Sequence, residues 1–245
     1  MKLRQHSKNA GFDRIACVYH LLEAIAFGPV LQRARTAHLG QITEAEEVLL
    51  AGEGNGRFLK ALLDANPHCR VTCMDASPAM LRAAQGRIEK SDQKRVHFQR
   101  IDLTSDSLPA NRYDALVTHF FLDCFKGSTL IHLLSKLECA LRQKGKWLLS
   151  DFVDPQNGKP FALLQGTALR LLYCFFRRTC GIEAHELCNT RKLMLSLEMR
   201  ENLRQTYLQG WIASFVYEKA LSPTLLRQGI PASTENTQKA LTLVG

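Results

Sequence analysis

The fold is decided by one stretch of the sequence, Val48-Leu49-Leu50-Ala51-Gly52-Glu53-Gly54-Asn55-Gly56-Arg57-Phe58. A short apolar run predicts a strand, three glycines then alternate with polar residues, and the next segment predicts a helix. Glycine permits positive φ and lets a ligand approach bare backbone. The first N–H groups of the following helix have no partner within that helix and can bind a ligand. The stretch therefore predicts a strand–loop–helix ligand site, with an ordinary tight turn as the alternative.

The spacing of the glycines separates two classes of ligand. A dinucleotide-binding loop has the pattern G-x-G-x-x-G, which requires glycine at position 57. Position 57 is Arg, and the third glycine, Gly56, comes one residue earlier. The G-x-G-x-G pattern therefore favours a ligand without a pyrophosphate.

Strand-like and helical segments alternate outward from this loop. The predicted strands are Glu47–Ala51, Arg70–Met74, Val96–Ile101, Ala115–His119, Trp147–Phe152, Leu203–Leu208 and Trp211–Lys219, and the helices between them are Arg57–Ala65, Pro78–Lys90 and Ser128–Arg142. Such alternation predicts an α/β fold, a Rossmann-like, seven-stranded, mostly parallel sheet with helices on both faces. Gln209-Gly210 separates the last two runs and predicts a terminal antiparallel hairpin.

Helical segments flank this core. Residues 8–40 have a helical pattern, so residues 1–44 are assigned to an N-terminal helical cap. Residues 160–202 carry apolar side chains at three- and four-residue spacing, which predicts a helical lid insertion over 155–202 within a core domain of 45–221. The proline- and glycine-containing polar tail predicts an extension over 222–245.

The composition is that of a globular protein. The chain has 245 residues, 46% hydrophobic and 22% charged, and 32 Lys+Arg against 23 Asp+Glu give a net charge of +9. Disordered, collagen-like and fibrous classes are excluded. No apolar run reaches the ~18–20 residues of a membrane span, and no apolar segment typical of a secretory signal follows the basic N-terminus. We therefore expect a cytoplasmic protein, with its eight cysteines as reduced thiols.

Two aspartates follow the next two predicted strands. Asp75 stands at the end of the second strand, where a carboxylate can accept hydrogen bonds from both hydroxyls of a ribose. A helix N-cap is its alternative role, but Ser77 before Pro78 already offers that cap. Asp102 follows the third strand, where it can accept the exocyclic amine of an adenine or form a cap or turn.

These motifs resemble those of the class I S-adenosylmethionine-dependent methyltransferases. The resemblance covers about residues 45–219 and rests on Val48–Phe58, Val71–Leu81, Gln99–Leu103, Tyr113–Asp123 and Gly145–Asp151. A weaker similarity to the ubiquinone/menaquinone-type branch involves Phe12–Ala16 and Tyr19. The resemblance implies S-adenosylmethionine as methyl donor and S-adenosylhomocysteine as product. The residues that it implies for donor binding are Tyr19, Gly52, Glu53, Gly54, Asn55, Gly56, Asp75, Ala76, Met80, Asp102, Leu103, Thr118 and His119.

One position departs from the family pattern. The family usually has an acidic residue two positions before the first glycine, and this chain has Leu50 there. Glu53, inside the loop, is the residue that can partly replace the missing acid. A weakened donor site is the alternative.

Methyl transfer from a sulfonium mainly requires alignment of the acceptor and exclusion of water. A general base is required where the acceptor must lose a proton. The catalytic candidates are His119 and Asp123, with Asp151 as a further carboxylate at a strand end. As an alternative to catalysis, His119 has a structural role or contacts the donor. The alternative for the two aspartates is a helix-capping role. No cluster has the spacing of metal ligands, so no metal site is predicted.

The acceptor is expected to be a small apolar or aromatic molecule under the lid, which contains Tyr173 and Phe175. A lid helix that merely packs on the sheet is the alternative. Two other functions stay open. The basic charge is compatible with a methyltransferase acting on RNA or another macromolecule, although the chain has no dedicated nucleic-acid motif. Leu50 is compatible with a non-catalytic protein that binds S-adenosylmethionine. A homodimer is one alternative for the oligomeric state.

Overall fold

The computed structural model describes residues 28–153, 190–197, 199–210 and 212–220. Several predictions concern residues outside these ranges. They are the donor contact of Tyr19, the first part of the N-terminal cap, the lid side chains Tyr173 and Phe175, and the C-terminal extension.

One sheet contains all seven strands of the described residues: β1 (Glu47–Ala51), β2 (Arg70–Asp75), β3 (Val96–Arg100), β4 (Tyr113–His119), β5 (Leu141–Phe152), β6 (Met199–Tyr207) and β7 (Ile212–Lys219). Their order across the sheet is β3-β2-β1-β4-β5-β7-β6. The first five strands are parallel, and β7 runs antiparallel to both of its neighbours. The predicted Rossmann-like fold with a terminal antiparallel hairpin is confirmed.

The described helices are α1 (Gly28–Thr36), α2 (Arg57–Ala65), α3 (Pro78–Arg87), α4 (Gly127–Ala140) and α5 (Thr190–Ser196). Short 3₁₀ turns occur at Leu39–Gln41, Gln93–Arg95, Leu122–Cys124 and Leu208–Gly210. Within the described ranges, every helix is too short or too polar to cross a membrane.

Two hydrophobic layers cover the two faces of the sheet because successive strand side chains point to opposite sides. On one face, α4 and α5 pack on Leu116, Trp147 and Phe215. On the other face, α2 and α3 pack on Leu50 and Cys73. A smaller group on this second side joins α1 to β7 through Leu31, Ala34 and Ile212. Each fully buried leucine of these layers contributes about 1.5–3 kcal/mol.

Several element boundaries differ from the predicted ones, among them the end of α3, which is Arg87 and not Lys90. The helical pattern was extended to Arg142, but α4 ends at Ala140 and β5 begins at Leu141, which pairs with Tyr113 of β4. The helical prediction through residue 202 is also wrong, because β6 begins at Met199. β6 is the edge strand, and most of its side chains are exposed. Its first residues therefore lack the alternation of polar and apolar side chains that identifies a half-buried strand.

The strand order places a crevice at the centre of the sheet. From β1 the chain continues to β2 and β3 on one side, and it returns to β4 on the other side of β1. In open parallel sheets, ligands bind beyond the carboxyl ends of the strands at this reversal. Ala51, Asp75 and His119 end the three strands that border the crevice.

Candidate functional site

The glycine loop between β1 and α2 contains three glycines in the left-handed region, with φ of +67° at Gly52, +68° at Gly54 and +81° at Gly56. A Cβ at Gly52 would lie 2.1 Å from the ring of Phe121, and a Cβ at Gly56 would lie 2.7 Å from the Cα of Ala84. Both glycines are therefore required by packing within the protein. A Cβ at Gly54 would meet no atom within 4 Å, so Gly54 is the glycine that presents bare backbone to open space.

Asp75 links the end of β2 to this loop. Its Oδ2 accepts the N–H of Gly54 at 3.2 Å, and its Oδ1 accepts the N–H of Ser77 at 2.8 Å. The N-cap of α3 is Ser77, whose hydroxyl accepts the N–H of Met80 at 3.3 Å, and Pro78 is the first residue of that helix. A carboxylate has about four acceptor sites, so Asp75 can accept ligand hydroxyls in addition to these two amides.

Glu53 is directed towards the helix that follows the loop. Its Oε1 accepts the N–H groups of Phe58 at 3.0 Å and of Leu59 at 2.9 Å, which are the amides that an N-cap side chain normally satisfies. Burial raises the pKa of Glu53 to about 7, and the two amides and the charge of Arg35 oppose that rise. Leu50, where the family has an acid, is fully buried in the layer of α2 and α3.

The remaining loop and α3 residues surround the crevice. The carbonyl of Asn55 accepts Nε of Arg87 at 2.8 Å, which connects the loop to the end of α3. Ala76 is exposed, and Met80 is half-buried in the first turn of α3. These positions are compatible with the predicted donor contacts, which remain predictions.

Asp102 lies in a turn after β3. Its Oδ1 accepts both the N–H and the hydroxyl of Thr104, at 3.0 and 2.6 Å, and its own N–H donates to Asp106 at 2.9 Å. The turn role that the sequence left open is therefore present. Leu103 is buried in the layer of α4. An adenine contact of these two residues stays a prediction.

Thr118 and His119 end β4 and point to opposite faces of the sheet. The hydroxyl of Thr118 accepts the indole N–H of Trp147 at 2.9 Å. His119 lies against Phe58 at the start of α2, with 4.7 Å between the ring centroids. His119 is 8% exposed, and neither of its ring nitrogens has a hydrogen-bond partner. Burial first, and then the charges of Arg35 and His38, hold the pKa of His119 well below its ordinary value.

Asp123 and Asp151 form a carboxyl pair beyond the ends of β4 and β5. Burial raises the pKa of both groups, and the side chains are hydrogen-bonded to each other. The pKa of Asp151 is raised further because the Asp123 charge adds to the effect of burial. A hydrogen bond between two carboxyl groups requires a proton on one of them. Asp151 Oδ1 also accepts the N–H of Phe152 at 3.0 Å.

Two aromatic side chains flank Asp123 in the sequence, and one of them covers the glycine loop. Phe121, which covers Gly52, packs against Phe125 with 5.1 Å between the ring centroids. Phe120 has φ of +53° and points instead towards Phe152. Phe120 and Phe121 escaped the sequence analysis because an apolar pair after a strand is indistinguishable there from core residues.

The residues of α1 that face the site were also missed. Nε2 of Gln32 donates to the carbonyl of Arg57 at 3.5 Å, and the guanidinium of Arg35 lies 5.0 Å from the centroid of the Phe120 ring. No sequence signal identifies them, because their neighbours come from distant parts of the chain. In the ranges that the structure describes, no group of three or more His, Cys, Asp or Glu could hold a metal ion.

The sequence of residues 48–145 matches the family described as a methyltransferase domain. Over 154 residues, the chain is 28% identical to a malonyl-[acyl-carrier protein] O-methyltransferase of Paenibacillus sp. (strain JDR-2), covering 61% of this chain and 53% of the relative. Over 162 residues, it is 28% identical to the demethylmenaquinone methyltransferase of Thermotoga maritima, covering 65% and 67%. The chain therefore spans about half the length of the first of these relatives.

Among solved structures, the human N-acetylserotonin methyltransferase in complex with S-adenosylmethionine is similar with a TM-score of 0.56 and 18% sequence identity. The similarity covers 83% of this chain and 56% of that one. At this level of identity, the likeness concerns the fold.

Proposed function

We propose that this chain is a class I S-adenosylmethionine-dependent methyltransferase and that it transfers a methyl group from S-adenosylmethionine to a small apolar or aromatic acceptor. The observation that carries this function is the glycine loop at the reversal of strand order. No atom lies within 4 Å of the position that a Cβ of Gly54 would take, and the N–H of Gly54 donates to the carboxylate of Asp75. The loop has room for a ligand along its backbone and a carboxylate beside it for a ribose.

The donor site is proposed to use residues from three strand ends. Asp75 would accept the ribose hydroxyls, and Met80 with Leu103 would contact the adenine. The backbone at Gly54 would lie along the part of the donor that joins the nucleoside to the methionine. These roles agree with the half-buried position of Met80 and the buried position of Leu103.

S-adenosylmethionine supplies a methyl carbon on a positively charged sulfur. The acceptor atom attacks this carbon in line, the carbon–sulfur bond breaks, and its electron pair stays on the sulfur of neutral S-adenosylhomocysteine. The protein has to align the two groups and exclude water. Phe121, which covers Gly52, and Phe125, which packs against it, are suited to covering this space with apolar surface.

Where the acceptor loses a proton, Asp123 is proposed as the general base. It shares a hydrogen bond with Asp151, and burial raises its pKa, which makes its carboxylate a stronger base than that of an exposed aspartate. His119 is less suited to this role because burial lowers its pKa so far that its ring holds a proton poorly. We therefore assign His119 to the donor side.

The small acceptor is supported by similarity rather than by contacts. The relatives described above include a demethylmenaquinone methyltransferase and a malonyl-[acyl-carrier protein] O-methyltransferase. The first name describes a small acceptor and the second an acceptor carried by a protein, and neither describes nucleic acid. The Phe121–Phe125 pair beside Asp123 adds an aromatic surface suited to an apolar molecule.

The test is methyl transfer from isotopically labelled S-adenosylmethionine. Purified protein is incubated with the donor and a cell extract, which is then separated into RNA, protein and small molecules. Label is expected in the small-molecule fraction. Label in the RNA or protein fraction would show that the acceptor is a macromolecule. Binding of the donor without transfer to any fraction would show that the chain is a non-catalytic binding protein.

Two variants test the base in the same assay. Asp123→Asn is expected to lower transfer by about 10²–10⁴-fold, the usual contribution of a general base, without changing the affinity for S-adenosylhomocysteine. Asp64→Asn is the matched control, since it makes the same substitution at an exposed aspartate of α2. Normal transfer by Asp123→Asn would remove Asp123 from the reaction.

A further inference from the structure

Asp151 is an acid near the end of β5 that lies almost out of water. The residue is 2% exposed, and β5 has a neighbouring strand on each side, β4 and β7. Its pairing partner on β7 is Ala213, so strand pairing itself does not require a carboxyl group here. Burying a carboxylate costs free energy unless it is hydrogen-bonded or protonated. The position of Asp151 therefore calls for a task beyond the packing of the sheet.

The side chain of Asp151 lies on the face of the sheet that α4 covers. Side chains two residues apart on a strand share one face, and Leu149 belongs to the hydrophobic layer of α4. The rings of Phe121 and Phe125 pack against the same layer. Asp151 is therefore on the side of the sheet that carries the apolar surface of the proposed site.

The turn that contains Asp123 is connected to the end of β5. The N–H of Phe120 donates to the carbonyl of Ser150 at 2.7 Å, which carries the contact between β4 and β5 one residue beyond the end of β4. The chain then forms the 3₁₀ turn Leu122–Cys124. The hydrogen bond between the side chains of Asp123 and Asp151 joins this turn to the strand. The direction of the Asp123 carboxyl group therefore depends on Asp151.

Asp151 is held more firmly than its partner. Its Oδ1 accepts the N–H of Phe152 at 3.0 Å, and its backbone belongs to a strand that pairs on both sides. Asp123 lies in a turn of three residues. Side chains on strands are positioned more precisely than side chains on loops. Asp151 is therefore the fixed member of the pair, and Asp123 is the member that it orients.

The two carboxyl groups also differ in access. Asp123 is half-buried, whereas Asp151 is buried, so Asp123 is the member of the pair that an acceptor can reach. A carboxylate has about four acceptor sites. Asp123 can therefore share a hydrogen bond with Asp151 and accept a second one from a bound molecule.

We propose that Asp151 is a positioning residue, whose hydrogen bond holds the Asp123 carboxylate with one oxygen directed towards an O–H or N–H group of the acceptor. This inference rests on the proposed function and narrows the acceptor to an apolar molecule with such a group. The acceptor atom forms a bond to the methyl carbon, and the carbon–sulfur bond breaks with its electron pair going to sulfur. The proton of the acceptor passes to Asp123.

Two substitutions at Asp151 test this role. The assay follows the rate at which label passes from S-adenosylmethionine to the small-molecule fraction of a cell extract. Asp151→Ala is expected to lower this rate by about 10²-fold, the scale of loss when a reacting group is misplaced. Asp151→Asn should stay within about threefold of the unmodified chain, because its amide can donate to Asp123 and accept the N–H of Phe152. Both variants should bind S-adenosylhomocysteine normally.

A double-variant cycle separates positioning from support of the fold. If Asp151 acts through Asp123, adding Asp151→Ala to Asp123→Asn should change the rate by less than about twofold, since the group that Asp151 orients is already gone. Two independent roles would instead multiply their losses. A merely structural role of Asp151 would not depend on which residue stands at position 123.

Asp114→Ala is the matched control. Asp114 also accepts backbone amides, those of Glu46 and Glu47 at the opposite edge of the sheet, and its loss should leave the rate unchanged. If Asp151→Ala does not fold, Asp151→Ser takes its place. Serine keeps an acceptor for the N–H of Phe152 and is too short to reach Asp123, so the same loss of transfer is expected.

Three results overturn the inference: a normal rate in Asp151→Ala, an equal loss in Asp151→Asn and Asp151→Ala, and losses that multiply in the double variant. If the unmodified chain transfers no label to the small-molecule fraction, the proposed function fails and the inference fails with it. That result differs from normal transfer that the Asp151 variants leave untouched, in which case the proposed function survives.

Discussion

Asp75 and Glu53 lie on either side of the glycine loop, and both of their carboxylates accept backbone N–H groups. Their surroundings differ. Asp75 stands at the open edge of the crevice beside Gly54, whereas Glu53 is turned inward to the first turn of α2. We therefore expect the two acids beside this loop to have separate tasks, Asp75 towards the ligand and Glu53 towards the helix, and two substitutions distinguish them.

Asp75→Ala is expected to weaken binding of S-adenosylhomocysteine by about 1.5–3 kcal/mol, the range for hydrogen bonds to a charged group. Calorimetric titration measures this change. Asp114→Ala is the matched control, because Asp114 also accepts two backbone amides, those of Glu46 and Glu47, at the opposite edge of the sheet. Equal donor affinity in the two variants would reduce Asp75 to a structural residue of the loop.

Glu53→Gln is expected to change how stability depends on pH. The pKa of Glu53 rises from 4.5 to about 7 in the folded chain. The stability from this group is therefore fully present below about pH 4.5 and is lost as the pH rises through 7. Glutamine keeps an acceptor for the two amides and does not titrate. Between pH 4.5 and 8, the free energy of unfolding of the unmodified chain should fall by on the order of 2 kcal/mol relative to that of Glu53→Gln. This value includes a reduction for the partial exposure of the loop to solvent.

The measurement for Glu53 is the free energy of unfolding in denaturant at several pH values. Glu44→Gln, which replaces an exposed glutamate, is the control and should follow the unmodified chain throughout. Parallel curves for Glu53→Gln and the unmodified chain would show that Glu53 titrates as an ordinary exposed acid.

At the scale of elements, the end of α4 is tied to β7 by one buried lysine. Nζ of Lys219 lies 3.0 Å from Oε1 of Glu138 and donates to the carbonyls of Glu138 and Leu141 at 2.9 Å. The first carbonyl lies in the last turn of α4, and the second belongs to the first residue of β5. Both charged side chains are 11% exposed, so the contact lies largely out of water.

Lys219→Met is expected to lower the free energy of unfolding by about 3–5 kcal/mol, because it leaves the Glu138 charge buried without its partner. Adding Glu138→Gln should recover most of this loss. Lys146→Met is the control, since Lys146 donates to the carbonyl of Gln41 at an exposed position and should cost less than about 1 kcal/mol. Denaturant unfolding measures all three variants, and equal losses at the two lysines would contradict this reading of the contact.

At the scale of the whole molecule, the reversal of strand order at β1 and the glycine loop together define the ligand class. The third glycine packs against α3 at Ala84, and Arg57 begins α2. The loop is therefore one residue shorter than a loop that receives a pyrophosphate. The difference should appear as ligand-dependent stability of the whole fold.

S-adenosylhomocysteine at 100 times its dissociation constant is expected to stabilise the chain by about 2.7 kcal/mol. NAD at the same concentration is expected to leave the melting temperature unchanged. A thermal melt of the chain with each ligand measures this difference. A larger rise with NAD would contradict both the ligand class and the proposed donor.

The central part of the fold followed from the sequence because its signals are local. The run Glu47–Ala51, the alternating glycines and the Ser77-Pro78 helix start each act within a few residues, so pattern and turn chemistry predict them directly. The place of Asp75 at the end of β2 followed for the same reason, while its role towards a ligand stays a prediction. The terminal hairpin was predicted from two runs of residues and the turn between them.

Other features were decided by contacts between distant residues. The carbonyl of Ala34 meets the hydroxyl of Ser214 across most of the chain, and Asp123 meets Asp151 only because β4 and β5 are neighbours in the sheet. The start of β6 depends on pairing with β7. Whether Glu53 faces ligand or helix depends on where the amides of α2 lie. The local sequence pattern predicts none of these contacts, because burial, strand pairing and electrostatic environment at these positions arise only when separate segments pack together.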